Sequence, residues 1–167
     1  MKALVGGNVR VMITGSAPIA GDVLNFLKIC FCCPIREGYG QTETSAPTTL
    51  AHAKDPTSGH VGGPYPCVRF RLRDIPEMDY YSTDPNPRGE LLIKGGIVFK
   101  GYYKGGQLTK DAFDEEGWLR TGDVAMILPG GAVKIIDRAK NIFKLSQGEY
   151  IAPEKLENIY IQSPYVA

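Results

Sequence analysis

A strand, a helix and a second strand in quick succession set the tightest limit on how this chain can fold. Val9-Arg10-Val11-Met12-Ile13-Thr14 is a mostly apolar strand, and Gly15-Ser16-Ala17-Pro18 is the turn that ends it. Asp22 reads as a helix N-cap. Val23, Phe26, Leu27 and Cys30 then recur at i, i+3, i+4 and i+7, the spacing of one apolar helix face. Pro34-Ile35-Arg36-Glu37 is a short second strand that feeds a loop from Gly38 to Glu43. Strand, helix and strand form one crossover unit of a parallel sheet, and such strands are normally covered on both faces by neighbours. One unit cannot supply those neighbours, so the expectation is a piece of a larger protein.

The texture changes near Gly59. Val68, Phe70 and Leu72 alternate with Arg69, Arg71 and Arg73, the pattern of a half-buried strand whose arginines form a solvated outer face. Three more short strands read as Glu90 to Lys94, Asp123 to Leu128 and Val133 to Asp137. Pro85-Asn86-Pro87-Arg88-Gly89, Gly95-Gly96 and Pro129-Gly130-Gly131 punctuate them as turns. Short strands separated by such turns indicate a small antiparallel sheet or barrel. Pro153 then opens a helix over Glu154 to Ile161.

Composition removes several classes of function. Lys and Arg total 19 against 18 Asp and Glu, a net charge of +1, which lacks the basic bias of a domain that grips nucleic acid through its phosphates. Leu, Ile, Val and Phe make 42 of 167 residues, too many for a disordered chain. The longest apolar run, Val23 to Ile35, is broken by Asn25, Lys28 and Pro34, so no transmembrane segment is expected. The first seven residues lack the apolar stretch of a signal peptide. Cys30, Cys32, Cys33 and Cys67 have neither zinc-site spacing nor a disulfide pattern and read as buried, reduced thiols of an intracellular protein. His52 and His60, with no carboxylate at ligand spacing, read as structural, and Trp118 and Tyr102-Tyr103 as core or rim aromatics.

Three stretches call for more than a structural account. Tyr39-Gly40-Gln41-Thr42-Glu43 follows a parallel strand, where ligands of open α/β sheets bind. There an aromatic face suits a flat base, a hydroxyl suits phosphate oxygen and a carboxylate can hold Mg²⁺. In Leu119-Arg120-Thr121-Gly122-Asp123 a carboxylate after a tight turn can accept from a ribose diol. Asp137-Arg138-Ala139-Lys140-Asn141-Ile142-Phe143-Lys144 carries three cations away from a strand. Each alone reads equally well as an ordinary loop.

Taken in order, these stretches resemble motifs of the adenylate-forming superfamily: acyl-CoA ligases, luciferase and peptide-synthetase adenylation domains. Gly15-Ser16-Ala17-Pro18 is similar to its G-[AS]-A-P turn and Tyr39 to Glu43 to its Y-G-x-T-E motif. Gly89-Glu90-Leu91 with Gly95 and Gly101-Tyr102 is similar to G-E-L…G…G-Y, and Thr121-Gly122-Asp123 to T-G-D. The run Phe143-Lys144-Leu145-Ser146-Gln147-Gly148-Glu149-Tyr150 resembles the long-chain fatty acyl-CoA synthetase branch, with wording near Arg36 and Phe99 similar to the plant peroxisomal type. Short-chain and aryl relatives have one residue fewer between the positions matching Lys144 and Gly148, and this spacing argues against the alternative of an aryl or medium-chain ligase. A short non-catalytic product that binds nucleotide or partners is the other alternative.

The resemblance implies an α/β fold. It comprises a partial parallel α/β subdomain over residues 1–58, a small antiparallel β-barrel-like subdomain over 59–138, and the hinge and start of a C-terminal α+β lid over 139–167. It implies a reaction in which a fatty carboxylate and ATP give acyl-AMP and pyrophosphate, after which CoA displaces AMP. Tyr39 with Gly40 would pack against adenine, and Gly15, Ser16 and Ala17 would line the base and acyl pocket. Thr42 would bond the α-phosphate, Glu43 would hold Mg²⁺, and Asp123 with Arg138 would hold the ribose. Lys140 would be the hinge, and Lys144, which reads equally as a surface lysine, would lie on the closing lid. The phosphate-binding loop and the lid lysine of the family are not found in the sequence, so ligase activity is expected only of a longer chain, in a peroxisome or at the endoplasmic reticulum membrane.

Overall fold

Thr14 closes a short strand, β1 (Met12–Thr14), that pairs in parallel with β2 (Ile35–Gln41), Met12 opposite Ile35 and Thr14 opposite Glu37. The helix between them, α1 (Gly21–Phe31), completes the expected crossover unit. The computed structural model describes residues 1–139, 141–144, 150–151, 153–161 and 163–166. The N-cap of α1 is Ala20, in extended conformation and without a side-chain bond; Asp22 instead sits in the first turn, where its charge favours the helix dipole. The expected buried face is also corrected. Leu24 is the buried residue of α1, whereas Val23 and Phe26 are 45% and 58% exposed, and Leu27 and Cys30 are half-buried. With only β1 and β2 forming the parallel part of the sheet, the helix rests on one narrow stripe centred on Leu24.

The stretch from Gly38 to Gln41 is strand rather than loop, because β3 (Ala46–Leu50) returns antiparallel and pairs with it from Gly38 to Gln41. The register slips between Tyr39 and Gly40. At that bulge the β3 backbone crosses so closely that a Cβ on Gly40 would stand 2.8 Å from the Pro47 Cα, which only glycine tolerates. A two-residue strand, β4 (Gly63–Pro64), completes the sheet in the order β1-β2-β3-β4.

The second sheet is an antiparallel meander of β5 (Val68–Arg73), β6 (Arg88–Gly95), β7 (Leu119–Ile127) and β8 (Val133–Arg138), in chain order. All four expected strands are present, and among the described residues the sheet stays open rather than closing into a barrel. Val61, Val68, Leu72, Leu91, Ile93, Ala125 and Val133 form its core, with Tyr39 of the first sheet packed against them. Two backbone bonds of 2.8 Å, Val61 N–H to Val133 and Val133 N–H to Gly62, fix one sheet to the other. The arginine stripe on β5 is less solvated than its alternation suggests. Arg71 bonds Asp114 at 2.5 Å and Glu116 at 2.8 Å, Arg73 pairs with the buried Glu90, and Arg69 remains exposed.

A short helix, α2 (Gly106–Ala112), lies between β6 and β7. Beyond β8, β9 (Phe143–Lys144) pairs antiparallel with β10 (Tyr150–Ile151), and α3 (Pro153–Tyr160) follows, opened by Pro153 as expected. The cysteines are free thiols, but only Cys33 is buried; Cys32 and Cys67 are exposed. His60 is buried and does meet a carboxylate, Asp55 at 3.3 Å, together with Thr57 Oγ1 at 2.7 Å. Among the described residues no helix is long and apolar enough to cross a membrane.

Candidate functional site

The sequence Thr121-Gly122-Asp123 forms a bulge in β7. Glu90 faces Val124 and Leu92 faces Arg120, so Leu91 alone stands opposite three residues. Gly122 takes φ 72°, the left-handed region that suits glycine. Thr121 Oγ1 donates to the Leu91 carbonyl at 2.7 Å and accepts the Asp123 N–H at 3.1 Å. The Gly122 N–H donates to Glu90 Oε1 at 3.2 Å. Glu90, buried beneath the turn and paired with Arg73, therefore braces the bulge that aims Asp123.

Asp123 is only 5% exposed, and its two oxygens are used differently. Oδ2 accepts the Tyr39 hydroxyl at 2.6 Å and the Gln41 amide at 2.7 Å. Oδ1 faces Arg138 Nε at 3.6 Å, because the β7–β8 register sets Asp123 directly opposite Arg138. Each carboxylate oxygen has two lone pairs, so Oδ2 is filled while Oδ1 keeps room for two donors. Burial, then the Asp123 charge, pushes the Tyr39 phenol far above its ordinary value, so Tyr39 stays a hydrogen-bond donor.

Past Gln41 the chain enters a 3₁₀ turn, Thr42–Thr44, held by a reciprocal capping box between Gln41 and Thr44. This turn leaves Thr42 exposed and Glu43 half-buried on the rim of the cleft. Tyr102 donates its hydroxyl to Glu43 Oε1 at 2.7 Å, and that bond first, then slight burial, raises the Tyr102 pKa. The Phe99 N–H donates to the Glu43 carbonyl at 2.8 Å, so the Gly101-Tyr102 segment is tied to the turn by backbone and side chain together.

These groups surround one cleft of about 820 Å³. Gly15, Ser16, Tyr39, Gly40, Thr42, Glu43 and Arg138 all line it, with Asp123 just beneath. Ala17 is not among the lining residues, and the backbone of Lys144 lies in β9. Lys140 and Gly148 lie outside the described residues. Sequence reasoning missed Gln41, which stood in the variable place of its motif, and Tyr102, which was read as a rim aromatic. The only available signal for Tyr102 was its place in the G-Y motif.

Among the described residues no three His, Cys, Asp or Glu side chains gather as a metal site. Mg²⁺ needs no such cage: it is commonly held by one or two carboxylates together with substrate phosphates. Glu43 fits that use, since Tyr102 occupies one oxygen and no other side-chain bond to Glu43 is present among the described residues.

The AMP-binding enzyme family matches residues 2–103. The chain is 54% identical over 168 residues to long chain acyl-CoA synthetase 7, peroxisomal, of Arabidopsis thaliana, covering 100% of this chain and 24% of that protein. It is 52% identical to long-chain-fatty-acid–CoA ligase 6 of Rattus norvegicus, again over 100% of this chain and 24% of that one. Among solved structures, the A domain of a carboxylic acid reductase from Segniliparus rugosus, in complex with AMP and a co-purified carboxylic acid, superposes with a TM-score of 0.83 at 39% identity, over 96% of this chain and 24% of that one. O-succinylbenzoate coenzyme A synthetase from Bacillus subtilis, in complex with ATP and magnesium ion, gives 0.78 at 25% identity, over 99% and 35%. The chain thus spans about a quarter of the length of the curated relatives it matches.

Proposed function

The chain belongs to the AMP-binding enzyme family, and from that premise we propose that it forms the nucleotide-binding part of an ATP-dependent long-chain fatty acid–CoA ligase. The observation that carries this reading is the convergence of Tyr39, Thr42, Glu43, Asp123 and Arg138 on one cleft, from motifs up to 99 residues apart. Such a cleft has a hydroxyl for a phosphate, a carboxylate for a metal and a buried acceptor for a diol. Its relatives are named for this ligase chemistry.

In the proposed reaction a fatty carboxylate oxygen attacks the α-phosphorus of ATP and pyrophosphate leaves. The CoA thiol then attacks the acyl carbonyl carbon, the acyl–oxygen bond breaks and AMP leaves. Asp123 Oδ1, with two free lone pairs, accepts both ribose hydroxyls while Arg138 balances its charge. Tyr39 and Gly40 form the wall beside adenine, Gly15 and Ser16 the opposite lip, and Thr42 donates to an α-phosphate oxygen. Mg²⁺, held by Glu43 and the phosphates, supplies neutralisation of the charge that builds on the phosphate oxygens. Lys140 serves as the hinge of a lid that closes for the thioester step, and Lys144 lies on that lid. Fatty acid, ATP and CoA are the substrates, and the peroxisome, for which one relative is named, is the proposed compartment.

The test is fatty-acid-dependent exchange of pyrophosphate into ATP by the full-length polypeptide containing this sequence. Exchange that requires both a long-chain fatty acid and Mg²⁺ supports the reading; its absence overturns it. The 167-residue chain alone is expected to form no acyl-CoA.

A further inference from the structure

Gln41 bonds both halves of the cleft with a single side chain. Its Nε2 donates to Asp123 Oδ2 at 2.7 Å and to the Thr121 carbonyl at 2.9 Å. Its amide oxygen accepts the Thr44 N–H within the capping box. Both partners of Nε2 are pure acceptors and the partner of the oxygen is a donor, so the amide has only one satisfactory orientation. Gln41 is half-buried and 82 residues away from Asp123 in sequence, so the bond is tertiary, made inside the cleft wall rather than on a free surface.

The consequence follows from counting lone pairs. With Tyr39 alone, Asp123 Oδ2 would keep a free acceptor site, and the carboxylate could rotate to present either oxygen to a ligand. With Gln41 and Tyr39 both donating to Oδ2, one orientation is fixed and Oδ1 is the oxygen that faces Arg138 and the cleft. The same amide ties the turn that carries Thr42 and Glu43 to the bulge that carries Asp123, setting the spacing between the phosphate and ribose ends of the cleft. Resting on the nucleotide reading above, we propose that Gln41 is a positioning residue for ribose recognition, acting through Asp123.

The test compares Gln41→Leu and Gln41→Glu with wild type in the full-length polypeptide, using pyrophosphate exchange with ATP, 2′-deoxyATP and 3′-deoxyATP. Wild type should prefer ATP. Gln41→Leu should shrink that preference by about tenfold, the scale of one bond to a charged group, through a higher KM for ATP and little change for the deoxy analogues. Gln41→Glu keeps the capping oxygen but sets a second carboxyl against Asp123 where an amide donor stood. It should therefore raise the KM for ATP at least as much as Gln41→Leu, with kcat little changed and the deoxy analogues again little affected. Equal losses on all three nucleotides, or no loss at all, would overturn the positioning role while leaving the ligase reading intact. Should Gln41→Leu fail to fold, the same three-nucleotide comparison with Gln41→Glu decides. A wild-type polypeptide without exchange would instead take down the nucleotide reading, and this inference with it.

Discussion

Replacing Asp123 with asparagine separates binding from folding in a way the site geometry dictates. Tyr39 and Gln41 both donate to Oδ2, so the asparagine oxygen must take that place; its NH₂ would otherwise meet two donors. The NH₂ then stands where Oδ1 stood, facing the Arg138 guanidinium and, on the proposed reading, the ribose. Donor opposes donor, and both ribose hydroxyls lose their acceptor. Each bond between a hydroxyl and a carboxylate contributes about 1.5–3 kcal/mol, so two make about 3–6 kcal/mol, or roughly 10²- to 10⁴-fold in ATP affinity. Thermal stability should barely move, because the buried phenol and amide keep their acceptor. Asp123→Ala differs: it strands both donors at a further cost of about 1–3 kcal/mol each. Calorimetric titration of ATP into the full-length polypeptide, beside a thermal melt, tests the pair. ATP affinity within threefold of wild type for a well-folded Asp123→Asn protein would refute the ribose assignment.

Three further outcomes follow from particular contacts. Gly40→Ala forces a Cβ into the Ala46–Pro47 backbone and should destabilise the protein by about 1–3 kcal/mol, read as a lower Tm; an unchanged melt would show that the bulge relaxes freely. Tyr102→Phe removes the donor that holds Glu43 Oε1, so Mn²⁺ binding with a non-hydrolysable ATP analogue, followed by electron paramagnetic resonance, should weaken several-fold, and equal affinity would contradict the clamp. Glu37 has a pKa raised by burial, which outweighs the Ile19 N–H bond and the Lys28 charge. The stability it contributes is present below its unfolded pKa and lost as pH rises through the folded one. Glu37→Gln should therefore gain stability over wild type progressively from pH 4 to pH 8 in urea titrations; a gap that narrows with pH would reverse the assignment.

What the sequence disclosed was local. The crossover unit was legible because β1, α1 and β2 follow one another and each carries its own periodicity. The meander was equally readable, since Gly and Pro turns bound every strand. The buried face of α1 was not, because its apolar residues lie on more than one face; the spacing picked out Val23, Phe26, Leu27 and Cys30, whereas the sheet covers Leu24 and leaves Val23 and Phe26 exposed. Gly38 to Gln41 looked like loop, with two glycines in four residues, until β3 supplied ladder partners. Within the site, Asp123 and Arg138 were legible as motif residues, but their meeting depends on register across a β-turn and bulge. Gln41 to Asp123 and Tyr102 to Glu43 join positions 82 and 59 residues apart, and no local pattern encodes such a contact. The polar networks that aim the site were therefore the part that required coordinates.

A crystal structure of the full-length polypeptide with AMP bound tests the central claim most directly. The account predicts one nucleotide in the cleft between β2 and β7, both ribose hydroxyls donating to Asp123 Oδ1, and the phosphate beside Thr42. AMP seated elsewhere, or with its ribose turned away from Asp123, would contradict it.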